Sequence, residues 1–267
     1  MIKGLGTALI TPFKANKSVD YDALTLLLDT QLTGHVDYIV VLGTTGEAAT
    51  MTEDEKREVR TFIRKYVNGR LPLVLGVGGN NTAAVCESLR TMDLTGFEAI
   101  LSVCPYYNKP NQEGLYQHFC AVAKASPIPI ILYNVPGRTG VNLLPETVMR
   151  IYETQPDKIA GIKEASGNVE QIKHLIDLAK DKLLVISGDD GIACEIMEAG
   201  GAGLISVCAD MPATSSSCLL TCACRASHSE TLRARFSSRA LRLWRAESFS
   251  RIFCSSSLLF CPRALSF

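Results

Sequence analysis

A lysine stands where a lysine is costly. In Gly161-Ile162-Lys163-Glu164-Ala165 an amine interrupts a short apolar run of the kind that fills a central strand of a parallel sheet. An amine there must be neutral, paired or reactive. Two readings fit. Lys163 pairs with a buried carboxylate, or desolvation lowers its pKa and the neutral amine attacks a ketone to form a Schiff base. The second chemistry needs a proton shuttle, and Tyr133, with Thr44 as relay, is of the right type. The competing reading of Tyr133 is a core aromatic with a satisfied hydroxyl. Thr44-Thr45-Gly46 offers hydroxyls and backbone N–H groups to a carboxylate, although that tripeptide is also a common loop. Arg138 suits bidentate capture of a second carboxylate, or is an ordinary surface arginine.

These residues need elements to hold them. Short apolar runs recur at Leu5–Ile10, Tyr38–Leu42, Leu71–Val77, Ala99–Val103, Pro129–Tyr133, Ile159–Ile162, Leu183–Ile186 and Gly203–Val207. Without period-two alternation they read as strands buried on both faces. Helical patterns lie between them. Asp20 precedes Leu24, Leu27 and Leu28, and Thr52 with Glu55 makes a capping box before Val59, Phe62 and Ile63. Pro145 suits a first helical position, and Asn168 suits a cap for Ile172, Leu175 and Ile176. Eight strands and seven interleaved helices predict an α/β chain folded as a (β/α)8 TIM barrel, with its chemistry at the C-terminal strand ends. A doubly wound sheet is the alternative. The candidate residues fall at those ends: Thr44 and Thr45 after the second strand, Tyr106 and Tyr107 after the fourth, Tyr133 and Arg138 at the fifth, and Ser187-Gly188-Asp189-Asp190 at the seventh.

Composition divides the chain. The 267 residues carry 27 Lys+Arg against 27 Asp+Glu, a formal charge of zero that argues against a nucleic-acid scaffold or a polybasic membrane binder. At 47% hydrophobic the chain is too apolar for disorder, and no apolar run approaches the ~18–20 residues of a membrane span. Nor does the start, Met1 to Thr11, read as a signal peptide. A cytoplasmic protein is expected. Zero charge is nevertheless a sum of unlike parts. All 20 glycines lie at or before Gly203, whereas residues 208–267 hold six of the ten cysteines, with eight arginines against three acids. The expected division is therefore a catalytic barrel over 1–207 and an aberrant Ser/Arg/Cys/Leu-rich tail over 208–267.

Five motifs in order, GTTGE (43–47), PYYNKP (105–110), YNVPGRTG (133–140), GIKEASG (161–167) and SGDD (187–190), resemble the dihydrodipicolinate synthase family of pyruvate-dependent class I aldolases and lyases. The resemblance implies condensation of pyruvate with L-aspartate 4-semialdehyde in lysine (diaminopimelate) biosynthesis. It implies that Lys163 forms the imine and that Tyr133 moves protons. Thr44 would link Tyr133 to Tyr107, which in this family enters the neighbouring subunit's site. Thr45 would hold the pyruvate carboxylate and Arg138 that of the semialdehyde, while Gly188 and Ile205 line the site through backbone groups. No metal or organic cofactor is implied, and the expected assembly is a homotetramer, a dimer of dimers. Sibling enzymes, N-acetylneuraminate lyase and 2-keto-3-deoxy sugar-acid aldolases, share barrel and lysine but as a rule lack the arginine of NVPGRTG.

Two departures qualify the resemblance. Relatives that bind lysine as an inhibitor often use histidines or a glutamate where this sequence has Glu53, Lys56 and Ala84, so weak lysine inhibition is expected. Beyond Val207 the family's eighth barrel helix and helical C-terminal extension are not legible, and a shifted reading frame from near Cys208 is the simplest explanation. An exposed barrel face of on the order of 400 Å² would cost about 10 kcal/mol. An inactive, poorly folding remnant is therefore the alternative to a working enzyme. Cys218, Cys222, Cys224 and His228 lack a standard zinc spacing, and the arginines with Trp244 lack the aromatic interleaving of an RNA binder. Cys86, Cys104, Cys120 and Cys194 read as small buried hydrophobes. His35, His118 and His174 read as packed or surface residues, and Glu47 as a residue that orients its loop.

Overall fold

The computed structural model describes residues 2–34 and 36–210. Along the chain run β1 (Gly4–Ala8), α1 (Tyr21–Thr33), β2 (Tyr38–Val41), α2 (Glu53–Val67), β3 (Leu73–Gly76), α3 (Thr82–Thr91), β4 (Ala99–Val103) and α4 (Gln112–Ala125). They are followed by β5 (Ile130–Asn134), a one-turn α5 (Pro136–Thr139), α6 (Pro145–Thr154), β6 (Ile159–Glu164), α7 (Val169–Ala179), β7 (Leu184–Ser187), α8 (Ala193–Glu198) and β8 (Gly203–Ser206). Each strand pairs in parallel with the next, and β8 returns to β1 with Gly4 opposite Gly203 through Thr7 opposite Ser206. That closure decides for the TIM barrel over a doubly wound sheet, which would leave β1 and β8 apart. The seam is tight enough to require glycine: a Cβ on Gly203 would sit 2.2 Å from the Gly4 carbonyl oxygen.

Local chemistry sets the helix starts. The Asp20, Asn81, Asn111 and Asn168 side chains accept backbone N–H groups at the first turns of α1, α3, α4 and α7, and Pro145 opens α6. Thr52 and Glu55 complete the reciprocal capping box on α2. The strands then separate two apolar layers. Val40, Val74, Leu101, Ile131, Ile186 and Ile205 fill the barrel's interior, while Ile39, Leu75, Ile100, Leu132, Ile162 and Val185 face the helices. Every strand is buried on both sides, which is why alternation was absent from the sequence.

Boundaries moved slightly. The run Leu5–Ile10 overshoots β1, because after the Leu9 N–H bonds Val40 O at 3.0 Å the chain turns into a loop. Of the four cysteines read as buried, Cys86 and Cys104 are, but Cys120 and Cys194 are half-buried because they lie on helix flanks rather than on the barrel-facing stripe. Among the described residues no helix is long and apolar enough to cross a membrane. The expected loss of the eighth helix, the Cys218–His228 cluster, Trp244 and His35 lie outside the described residues.

Candidate active site

The centre of the site follows from one line of strand register. On β5 and β6, Tyr133 stands opposite Lys163, and both point into the barrel. Lys163 is 5% exposed and Tyr133 6%, and the amine nitrogen lies 4.6 Å from the phenol ring centroid. Burial pulls the Lys163 pKa down to about 8; the Asp190 carboxylate opposes that shift, and the Arg138 guanidinium adds to it. About a tenth of the amine is thus unprotonated at pH 7, far more than for an ordinary lysine. Burial pushes the Tyr133 phenol up, while a side-chain hydrogen bond with Thr44 and the charge of Arg138 draw it back.

The turn after β2 delivers Thr44. Leu42 enters it with φ +55° and Glu47 leaves it with φ +53°, and the N–H groups of Gly46 and Glu47 return to Gly43 O and Thr44 O, each at 3.1 Å. Thr11 Oγ1 braces the turn by donating to Gly46 O at 2.8 Å. Thr45 is half-buried beside Thr44. Gly188 closes the site from β7: its N–H donates to Glu164 O at 2.8 Å, and a Cβ there would stand 2.8 Å from Lys163 Cε and from Ala165 Cβ. Ile205 is fully buried in the barrel interior with Tyr133 and Ile186. Arg138 rides on α5 at the end of β5, exposed, with its charge felt by both Lys163 and Tyr133. Tyr107 is different. It sits in the loop after β4 at φ +75° and is 89% exposed, so its ring projects from this chain's surface.

The sequence reading placed Asp190 at a strand end without giving it a role, and it missed the pair Asn134 and Glu164. Asp190 acts on Lys163 from the end of β7, its carboxylate fixed by the Ser206 hydroxyl and by the Val207 N–H at 3.1 Å. On the outer face of β5 and β6, Asn134 and Glu164 are fully buried and bonded to each other. The available signal was the polar pair Tyr-Asn on one strand and Lys-Glu on its neighbour: two adjacent polar residues on a strand occupy both faces. The histidines stay away from the site. His118 is buried on α4 with Nδ1 2.8 Å from Thr82 Oγ1, and His174 on α7 meets Glu146 at 3.0 Å. Among the described residues no group of three metal-ligating side chains gathers anywhere.

Comparison with known proteins gives a consistent result. The model of the dihydrodipicolinate synthetase family matches residues 1–246, further along the chain than the five motifs reach. Curated relatives named 4-hydroxy-tetrahydrodipicolinate synthase include one from Parabacteroides distasonis, 53% identical over 206 residues, which are 77% of this chain and 69% of the relative. Another, from Flavobacterium psychrophilum, is 56% identical over 204 residues, 76% of this chain and 69% of the relative. Among solved structures, the chloride-inhibited dihydrodipicolinate synthase of Acinetobacter baumannii in complex with pyruvate superposes with a TM-score of 0.82 at 38% identity, covering 98% of this chain and 85% of that one. A monomeric dihydrodipicolinate synthase variant superposes with a TM-score of 0.80 at 37% identity, covering 87% of this chain and 76% of that one.

Proposed function

The chain belongs to the dihydrodipicolinate synthetase family, and from that premise we propose that it is a lyase of diaminopimelate and lysine biosynthesis whose working amine is Lys163. The observation that carries this reading is a buried amine, its pKa down to about 8, facing a phenol that is hydrogen-bonded to a threonine at the C-terminal end of a barrel.

The neutral Lys163 amine attacks the ketone carbon of pyruvate and expels water, forming an imine. Tyr133, linked to Thr44, takes a proton from the pyruvate methyl carbon and leaves an enamine. That carbon attacks the aldehyde of L-aspartate 4-semialdehyde, and the resulting alkoxide takes a proton. The substrate's own amine then attacks the imine carbon, closing the ring and releasing Lys163. The products are 4-hydroxy-tetrahydrodipicolinate and one water. The positive imine nitrogen is itself the electron sink, so no step is routed through a metal or organic cofactor. Thr45 and the neighbouring backbone N–H groups hold the pyruvate carboxylate, and Arg138 holds that of the semialdehyde. Gly188 and Ile205 shape the floor through their backbones. The Arg138 position in NVPGRTG favours a small amino-acid aldehyde over the sugar acids of the sibling aldolases.

The exposed Tyr107 fits a side chain used across a subunit boundary, and the proposed assembly is a homotetramer built as a dimer of dimers in the cytoplasm. Borohydride reduction with pyruvate, followed by intact mass and peptide mapping, tests the reading. A pyruvate adduct on Lys163 is expected. Soluble protein that yields no adduct would identify a remnant that retains the motifs without the chemistry.

A further inference from the structure

We propose that Glu164, tied to Asn134, is a positioning residue of the reaction: from the outer face of the same two strands it fixes the register at which Lys163 meets Tyr133. The inference rests on Lys163 being the imine-forming amine.

The pairing of β5 with β6 is irregular at its base. Ile130 stands opposite Ile159, but Ile131 stands opposite Gly161, so Ala160 is skipped. Register at the top of the pair is therefore not inherited from the bottom, and a slip of one residue would turn Lys163 outward and Glu164 inward. What stands next to the reacting pair is Asn134 opposite Glu164. Asn134 Nδ2 lies 3.1 Å from both oxygens of the Glu164 carboxylate. The Ser166 N–H donates to Oε1 at 2.9 Å, and Gln171 Nε2 approaches Oε2 at 3.5 Å.

The same cluster reaches the neighbouring loops. Asn134 Oδ1 accepts the Leu143 N–H at 3.0 Å, and Asn134 Nδ2 reaches Asn142 Oδ1 at 2.8 Å, which closes the segment carrying Arg138. Asn142 Nδ2 in turn donates to Gln171 Oε1 at 2.7 Å, joining that segment to α7. One buried carboxylate thus aligns three parts of the site: the amine strand, the phenol strand and the arginine turn. It is fully buried, and every partner named for it is a donor. The charges that shift Lys163 are those of Asp190 and Arg138, and the role given to Glu164 is geometric.

The test uses the full chain and compares the parent with Glu164→Gln, Asn134→Asp and the double swap. In Glu164→Gln the amide oxygen keeps the Ser166 N–H and one Asn134 contact, but the amide NH2 meets the NH2 groups of Asn134 and Gln171, and the clamp loses that side. In the double swap the carboxylate moves to the β5 position and the amide to the β6 position. The new carboxylate accepts from the new amide's NH2, and the new amide's oxygen still accepts the Ser166 N–H. The Asn142 and Gln171 amides turn over so that Asn142 donates to the carboxylate and Gln171 accepts from the new amide; the clamp closes again. The readouts are the rate of borohydride-trapped pyruvate adduct on Lys163 as a function of pH, kcat and KM for pyruvate, and thermal melting.

Displacement of the amine predicts a fall in trapping rate and kcat of roughly 10- to 100-fold in folded Glu164→Gln, with the pH midpoint unmoved. The double swap should return to within about fivefold of the parent. Folded Glu164→Gln that traps pyruvate at the parent's rate overturns the proposal, and so does a shifted pH midpoint. If Glu164→Gln does not fold, the double swap decides, and a double variant that is slow or unfolded overturns it. A parent that gives no adduct fails the Lys163 assignment itself; an active parent with indifferent variants fails only the clamp.

Discussion

Gly188 makes the most direct test of how closely the site is packed around its amine. A Cβ added there would lie 2.8 Å from Lys163 Cε, 3.0 Å from Lys163 Cγ and 2.8 Å from Ala165 Cβ. These contacts fall about 0.5–0.7 Å short of the ~3.5 Å at which carbon atoms rest. Ala165 Cβ is bonded directly to a backbone fixed by the Ala165 N–H to Asn134 O bond at 2.9 Å, so it cannot give way. Lys163 can, by rotating its stem. Gly188→Ala should therefore cost about 1–3 kcal/mol of stability through overpacking and move the amine by a substantial fraction of an ångström. A misplacement of that size is worth roughly 10- to 100-fold in rate, or about 1.4–2.7 kcal/mol of barrier. The assay pairs thermal melting with the rate of borohydride-trapped pyruvate adduct at saturating pyruvate. Folded Gly188→Ala that traps pyruvate as fast as the parent would refute the close approach and the role given to this glycine.

Three further outcomes follow from particular residues. Because the Lys163 pKa is drawn down to about 8 from 10.5, the trapping rate should rise with pH through about 8 and level off above it; a midpoint near 10 would mean the amine is not desolvated. His118 is buried with its pKa lowered to about 4 from 6.5, so between those values the unfolded chain binds the extra proton. Its contribution is whole above about pH 6.5 and lost as pH falls toward 4, a total of about 3 kcal/mol that should vanish from the pH dependence of unfolding in His118→Gln. Lys56, paired with Glu53 at 2.8 Å on α2, stands where the family resemblance puts the inhibitory lysine of relatives, so weak or absent inhibition by added lysine is expected. Strong inhibition at sub-millimolar lysine would contradict that.

What the sequence made legible was whatever local chemistry enforces. Parallel strands buried on both sides must be apolar throughout, and the eight runs fell on the eight strands. Caps must bond the first turn, and Asp20, Thr52 with Glu55, and Asn168 did so. Lys163 announced itself because an amine in such a run must be either paired with a carboxylate or reactive, and position alone leaves the two readings equally open. The outer network was harder to see. Glu164 belongs to the face that packs on helices, where the rule predicts an apolar residue, and its network draws Asn134 from a strand, Asn142 from a loop and Gln171 from a helix. Only the register of β5 against β6 makes them neighbours, and register is a tertiary fact. The one-turn α5 escaped for a related reason: Val135-Pro136-Gly137-Arg138 carries turn residues, and the helix exists because the Arg138, Thr139 and Gly140 N–H groups return to Val135 and Pro136.

The positions of these residues along the chain separate imine formation from turnover. The residues proposed as amine, phenol, threonine relay, arginine and backbone floor all lie at or before Ile205, and the carboxylate of Asp190 is anchored by Ser206 and Val207. The closure of β1 on β8 is also complete at Thr7 opposite Ser206. In the proposed reaction, capture of pyruvate on Lys163 therefore draws on residues up to 207 and on the closed barrel. In the proposed reaction full turnover asks for more, since Tyr107 is 89% exposed on this chain and, in the proposed assembly, enters the site of a second copy. An adduct without turnover would thus locate a defect in assembly, and supplying a partner through a mixed oligomer with an intact relative carrying Lys→Ala at its own imine lysine should then restore activity. No rescue by such a partner, from protein that forms the adduct and the mixed oligomer, would place the defect inside this chain's barrel and not at its boundary.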